Sequence, residues 1–171
     1  NVTGAISPLD LILPRAQKVG AFVVLDTCQS AAHLPLDFSA LKAAGVDAMV
    51  LSSHKMLGPT GIGALVATEE LLAAMPPVLT GGSMIEVVTM ESSTFMSGPP
   101  RFEAGSQPLA QAAGWRTAVD YLARIGLDRL HATEQALTRQ VLEGLDQAPG
   151  LRLVGPSDTT DRLGVVAFSI D

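Results

Sequence analysis

Lys55 is the residue whose type and setting point most directly to chemistry. It follows Ser52-Ser53-His54 at the end of an apolar run, Ala48-Met49-Val50-Leu51, and precedes the glycine-rich segment Gly58-Pro59-Thr60-Gly61-Ile62-Gly63. A lysine where a buried strand meets a loop is poorly placed for surface solvation. Burial lowers a lysine pKa by penalising the charged form, and a neutral amine is a nucleophile able to form a Schiff base. Asp26 holds the matching position after a second apolar run, Phe22-Val23-Val24-Leu25. A lysine and a carboxylate at the ends of neighbouring strands suit pyridoxal phosphate (PLP), the lysine for the aldehyde and the carboxylate for the pyridinium nitrogen. Taken singly, each has a plainer reading. Loop lysines pair with phosphates or carboxylates, and strand-end aspartates cap helices or bind metals. The loop after Lys55 is not a P-loop, because the order GxxxxGK[ST] is absent.

Around this pair stand groups that suit the same cofactor. Gln29 follows Asp26 by three residues and can donate to the ring's phenolic oxygen; its plainer role is that of a satisfied turn residue. Ser52 and His54 flank the lysine with a hydroxyl and an imidazole, both able to reach a phosphate. Cys28 reads as a small buried thiol rather than a nucleophile, since nothing cationic adjoins it in sequence to lower its pKa. His131 reads as solvated on a helix, with Glu134 at i+3, and His33 shows no chemistry of its own. Three scattered histidines and one cysteine give no metal-ligand spacing. Thr80-Gly81-Gly82-Ser83-Met84 offers backbone N–H groups for an anion, and Ser106 is set to cap a helix or to bind phosphate.

The elements that must position these residues are α/β in pattern. Helices are expected over Pro8–Lys18 (with Pro14 as a kink), Asp37–Ala44, Glu69–Met75, Pro108–Ile125 and Leu127–Gln147. Continuous apolar runs at Ala21–Leu25, Ala48–Ser52 and Gly63–Thr68 read as buried strands of a mostly parallel sheet. Leu151–Val154 and Val165–Ile170 read as strands of a new unit. Between them, Pro76–Gly105 loses periodicity and reads as a long functional loop.

Composition sets limits. The chain has 171 residues, 47% hydrophobic and 16% charged, which describes a well-buried globular protein rather than a disordered one. A net charge of −6 argues against a nucleic-acid partner. One cysteine precludes an intramolecular disulfide and fits a reducing cytoplasm. No apolar run is long enough for a bilayer span, so no membrane association is expected. The chain opens on Asn1 and ends directly after a strand, and its few strands make a lopsided sheet. It is therefore expected to be the middle of a larger protein.

In this order the blocks Asp26-x-x-Gln29, Ser52-x-His54-Lys55-x-x-Gly58-Pro59-x-Gly61-x-Gly63, Gly81-Gly82-Ser83-Met84-Ile85 and Arg101-Phe102-Glu103-Ala104-Gly105 resemble the class V aminotransferases, which are fold-type I PLP enzymes. The likeness is nearest to group II (SUF-type) cysteine desulfurases and selenocysteine lyases. It runs almost from end to end. The resemblance implies a PLP-transferase fold: residues 1–126 form the C-terminal part of the PLP-binding large domain with its mixed, mostly parallel sheet. Residues 127–171 form a linking helix and the first strands of a small, truncated α+β domain.

It implies that Lys55 is the Schiff-base lysine and the proton shuttle at the substrate α-carbon, that Asp26 pairs with the pyridine nitrogen, and that Gln29 contacts the ring oxygen. Ser52 and His54 would bind the phosphate, Asn1 would lie near the ring oxygen and the substrate, and Ser106 would reach the phosphate of a partner subunit. The implied activity converts L-cysteine (or L-selenocysteine) to L-alanine, with sulfur passed on as a persulfide for Fe–S assembly. A homodimer and a sulfur-acceptor protein are implied partners. Cys28 and Gln107-Pro108 depart from the family pattern, and Ser106 replaces its threonine. The family's nucleophilic cysteine and carboxylate-binding arginine match no residue of this sequence. Rival expectations are a selenocysteine lyase, β-eliminase or aminotransferase on the same scaffold, and a truncated non-catalytic homologue that serves as a binding partner.

Overall fold

A computed structural model describes residues 2–171; Asn1 lies outside the described residues. Its central unit is a three-stranded sheet in the order β1 (Val24–Asp26), β2 (Ala48–Ser52), β3 (Gly63–Ala67). β1 and β2 are parallel, with Val24 opposite Ala48 and Asp26 opposite Val50. β2 and β3 are antiparallel, from Ala48 opposite Ala67 to Ser52 opposite Gly63. The third strand thus differs from the parallel arrangement expected of it. The physical reason is connection length: a parallel crossover needs roughly a dozen residues or more, usually with a helix. The segment 53–62 carries only a 3-10 turn, Ser53–Met56, and folds straight back.

Between β1 and β2 the chain makes a short 3-10 turn at Ser30–Ala32 and helix α2 (Phe38–Ala43), which opens on a side-chain cap, Asp37 Oδ1 accepting from Ser39 N at 2.8 Å. Helix α1 (Leu9–Lys18) precedes the sheet and holds Pro14 within it; α3 (Glu69–Ala74) follows β3, with Thr68 Oγ1 capping Leu71 N at 3.2 Å. Val46, Ala48, Met49, Leu71 and Leu13 are buried here. β1 is shorter than the apolar run that encodes it, and it is not buried on both faces: Phe22 is 55% and Val24 53% exposed.

The segment expected to be a long loop contains structure. β4 (Ile85–Val88) and β5 (Ser93–Phe95) form an antiparallel hairpin with a register shift between Ile85 and Val87, and a 3-10 turn follows at Pro99–Phe102. Period-2 patterning was hidden by this irregularity and by the short strands. The hairpin base is tied down by Met84, which is fully buried, and by Arg101, whose guanidinium donates to Met96 O (3.2 Å) and Met75 O (3.5 Å).

Helix α4 (Leu109–Ile125) lies against the 53–56 turn through its middle, and Ala118 and Leu122 are its buried residues. Gly126, at φ +84°, ends α4 and starts α5 (Leu127–Asp146). Only a residue without a Cβ takes that conformation at little cost. β6 (Leu151–Val154) and β7 (Ala167–Ile170) close the chain as an antiparallel pair. Two apolar side chains of α5 stand open: Leu137 is 57% and Val141 46% exposed. Ahead of β7, Arg162 is fully buried, with no carboxylate among the described residues paired to it. Its guanidinium donates to the carbonyls of Val165 (2.6 Å), Leu163 (3.4 Å) and Pro156, and its own carbonyl accepts from Gln135 Nε2 at 2.9 Å. No described helix is long and apolar enough to cross a membrane.

Candidate active site

The parallel pairing of β1 with β2 decides which side chains meet. Both strands end on the same edge, so Asp26 and the Ser52–Lys55 turn emerge together. Thr27 fastens this edge. It is buried, its N–H donates to Val50 O at 3.1 Å, and its Oγ1 donates to the same carbonyl at 2.7 Å. Thr27 was not singled out from sequence, where a β-branched hydroxyl after a strand is the only sign of such a brace.

Asp26 is exposed at the strand end, and Oδ1 accepts from Cys28 N at 3.0 Å. That backbone bond and then a side-chain hydrogen bond from Cys28 hold the carboxyl below its ordinary value of 3.8; burial opposes them, and the positive charge of Lys55 adds a smaller lowering. The carboxylate is therefore ionised at neutral pH. Cys28 behaves in the opposite way: burial, then the neighbouring Asp26, push its thiol above the ordinary 9.0. Its Sγ lies 3.8 Å from Val50 O. This agrees with the sequence reading of an inert thiol.

Lys55 sits on the 3-10 turn, part-buried and close enough to Asp26 for their charges to interact. The burial expected of it is partial. Ser52 Oγ and His54 Nδ1 are 3.0 Å apart, joining the hydroxyl and the imidazole on the exposed side of the turn. Gln29 is part-buried beside Asp26 and Thr27, lining with them a cavity of about 490 Å³ along β1.

The structure does not gather every candidate. Ser106 is exposed and lines another depression, with Ser83, Glu103 and Gly105, that includes no member of the Asp26–Lys55 group. Nor does Ser106 cap α4: the residue before that helix is Pro108, with no side-chain cap. Gly105 N donates to Gly82 O at 2.8 Å, so the two glycine-bearing motifs bind each other. His131 is part-buried rather than solvated, and His33 Nδ1 lies 3.0 Å from Glu134 Oε1, whose oxygen also accepts from Gly164 N at 3.2 Å. Among the described residues, no group of three or more His, Cys, Asp or Glu is assembled for a metal ion.

Known proteins resemble this arrangement along the whole chain. A "probable cysteine desulfurase 2" of Mycobacterium leprae is 48% identical over 171 residues, covering 100% of this chain and 40% of that protein. A "probable cysteine desulfurase" of Streptomyces coelicolor is 46% identical over 170 residues, covering 99% and 40%. Among solved structures, the cysteine desulfurase CsdA of Escherichia coli superposes with a TM-score of 0.86 at 32% identity, covering 99% of this chain and 41% of that one. The cystine C–S lyase C-DES, in complex with its product cysteine persulfide, superposes at 0.81 with 27% identity, covering 99% and 45%. The chain spans about 40% of the length of the curated relatives it matches. These neighbours share the fold-type I architecture, and the sequence pattern of class-V aminotransferases matches residues 1–171. The chain belongs to the class-V aminotransferase family.

Proposed function

We propose that this chain is the cofactor-holding segment of a PLP-dependent cysteine desulfurase. The observation that carries the reading is the shared edge of β1 and β2, where an ionised carboxylate, Asp26, faces a part-buried lysine, Lys55. The donor set fits PLP: a carboxylate held in its charged form for the ring nitrogen, an amine for the aldehyde, and a hydroxyl–imidazole pair for the phosphate. When bound, PLP supplies an aldehyde that condenses with amines and a ring that draws electrons from the substrate α-carbon.

The residues divide the work by their chemistry. The Asp26 carboxylate holds a proton on the pyridine nitrogen by hydrogen bond and charge. The Lys55 Nζ takes a proton from the substrate α-carbon and returns it later. Ser52 Oγ and His54 hold phosphate oxygens, and Gln29 orients the phenolic oxygen. Asn1, outside the described residues, keeps its role from sequence, near that oxygen and the substrate. Ser106, set apart in its own depression, is assigned to the phosphate of a partner subunit in a homodimer. L-Cysteine is the proposed substrate, with its sulfur handed to an acceptor protein as persulfide; the relatives' names support this choice. The division at Gly126 into a large-domain part (1–126) and the opening of a small domain (127–171) belongs to the same reading. So does a cytoplasmic location, consistent with a single thiol.

The test is reconstitution of the complete protein with PLP, borohydride reduction and peptide mapping. Label on Lys55 and stoichiometric alanine from cysteine are expected; label on another residue overturns the assignment. The likeness to the cystine C–S lyase favours a second reading, β-elimination on the same site. Pyruvate in place of alanine would select it.

A further inference from the structure

We infer that Trp115 is a positioning residue for Lys55, acting through Gly58 and Ser53. This rests on the reading of Lys55 as the cofactor lysine. Trp115 lies on the second turn of α4, remote in sequence from the 53–63 loop, yet α4 packs directly on the turn that carries Lys55.

Close packing at two glycines and two backbone hydrogen bonds define the clamp. A Cβ at Gly58 would stand 3.1 Å from Trp115 Cδ1 and 2.3 Å from Ser53 Oγ, so the indole, the hydroxyl and the loop backbone meet at one point. A Cβ at Gly114 would stand 2.9 Å from Pro59 Cγ, so the proline ring rests on the neighbouring position of α4. Gly58 N donates to Ser53 O at 3.0 Å, and Ser53 N donates to Ile62 O at 3.2 Å, closing the loop around the lysine. Glycine at 58 and 114 lets helix and loop approach to this distance.

The clamp holds conformations that are unfavourable locally. Leu57 takes φ +62°, the left-handed region, although it is not glycine. Ser53 is fully buried, and neither its Oγ nor the buried Trp115 Nε1 has a partner within the protein. Such features persist where surrounding packing over-determines them, and they cluster at sites where position matters. Only His54 separates Ser53 from Lys55 in sequence, and all three lie on a single 3-10 turn. A shift of the Ser53–Gly58 backbone is therefore a shift of the amine. Misplacing a reacting group by roughly 1 Å costs on the order of 100-fold in rate.

The experiment uses the complete protein, with Trp115→Phe and Trp115→Ala. Trp115→Phe keeps the wall and is expected to leave cofactor loading, the pH midpoint of the visible PLP band and amide exchange at Ser53–Gly58 as in the wild type. Trp115→Ala is expected to speed amide exchange over Ser53–Gly58 by about tenfold in the PLP-free protein and to move the pH midpoint of the band. It should lower kcat by about tenfold or more, with KM for cysteine changed by about twofold at most. If Trp115→Ala does not fold, Gly114→Ala displaces Pro59 from the same side and is read by the same measurements. A lower unfolding midpoint with wild-type exchange at Ser53–Gly58 and an unmoved pH midpoint would make Trp115 a packing residue only and overturn the inference. Borohydride label off Lys55 in the wild type sinks the functional reading instead, and the exchange rates of the PLP-free variants still decide the clamp.

Discussion

The backbone N–H of Cys28 donates to Asp26 Oδ1 at 3.0 Å, and this one bond does most to keep the Asp26 carboxyl ionised. The turn after β1 therefore prepares the carboxylate with its own main chain, and the Lys55 charge adds to it. Replacing Asp26 by Asn keeps the shape and removes the charge. In the complete protein, Asp26→Asn is expected to lower kcat by about 100-fold or more, measured as alanine formed from cysteine.

The same carboxyl has a pH signature in the fold. Its folded pKa is depressed below the ordinary 3.8, so its contribution to stability is present in full above that value. The contribution disappears as pH falls through the lower, folded value. Denaturant unfolding of wild type and Asp26→Asn should show a stability difference that is constant from neutrality to about pH 5 and shrinks at more acidic pH.

Cys28 should be chemically quiet. Its thiol is pushed above 9.0 by burial and by Asp26, so little thiolate exists near neutrality. Peptide-resolved alkylation at pH 7 should label Cys28 more slowly than a free cysteine. Cys28→Ala should keep turnover of the complete protein within about twofold, because the proposed function gives this thiol no part in sulfur transfer.

Arg162 should be a stability residue and not a catalytic one. Its guanidinium serves three carbonyls in a fully buried setting. Arg162→Ala leaves those acceptors without their donor and is expected to cost about 3–5 kcal/mol by urea unfolding. Arg162→Lys should recover only part of that loss, since an ammonium cannot reproduce the planar fork.

Two glycines with positive φ separate strain from crowding. At Gly20, φ is +65° and nothing lies within 4 Å of an added Cβ; at Gly4, φ is +77° and the Cβ would meet Val165 O at 2.3 Å. Gly20→Ala is expected to cost about 1–2 kcal/mol, the left-handed penalty alone. Gly4→Ala should cost about 2–4 kcal/mol, because the bridge of Ala5 with Arg162 must also open. Thermal unfolding of the two variants side by side measures the difference.

Local chemistry was legible in the residues themselves. The run Ala48–Ser52 is β2 as read, because five apolar or small residues between turn signals leave little choice. Asp37 caps α2, and the helices over 109–125 and 127–146 follow from periodicity and from Gly126 between them. Asp26, Gln29, Ser52, His54 and Lys55 stood out because strand ends are where an α/β fold presents side chains.

What sequence order could not supply was proximity and cover. The antiparallel return of β3, the hairpin from Ile85 to Phe95, the open flanks of Phe22 and Val24, and the depression that separates Ser106 from Lys55 all depend on partners distant along the chain. So does Trp115 against Gly58. Residue type and spacing determined which groups can bind a cofactor, since that is intrinsic chemistry. Only the tertiary structure decided which of them share an edge, because strand direction and helix packing are settled by connection length and close contact, and neither is encoded at any single position.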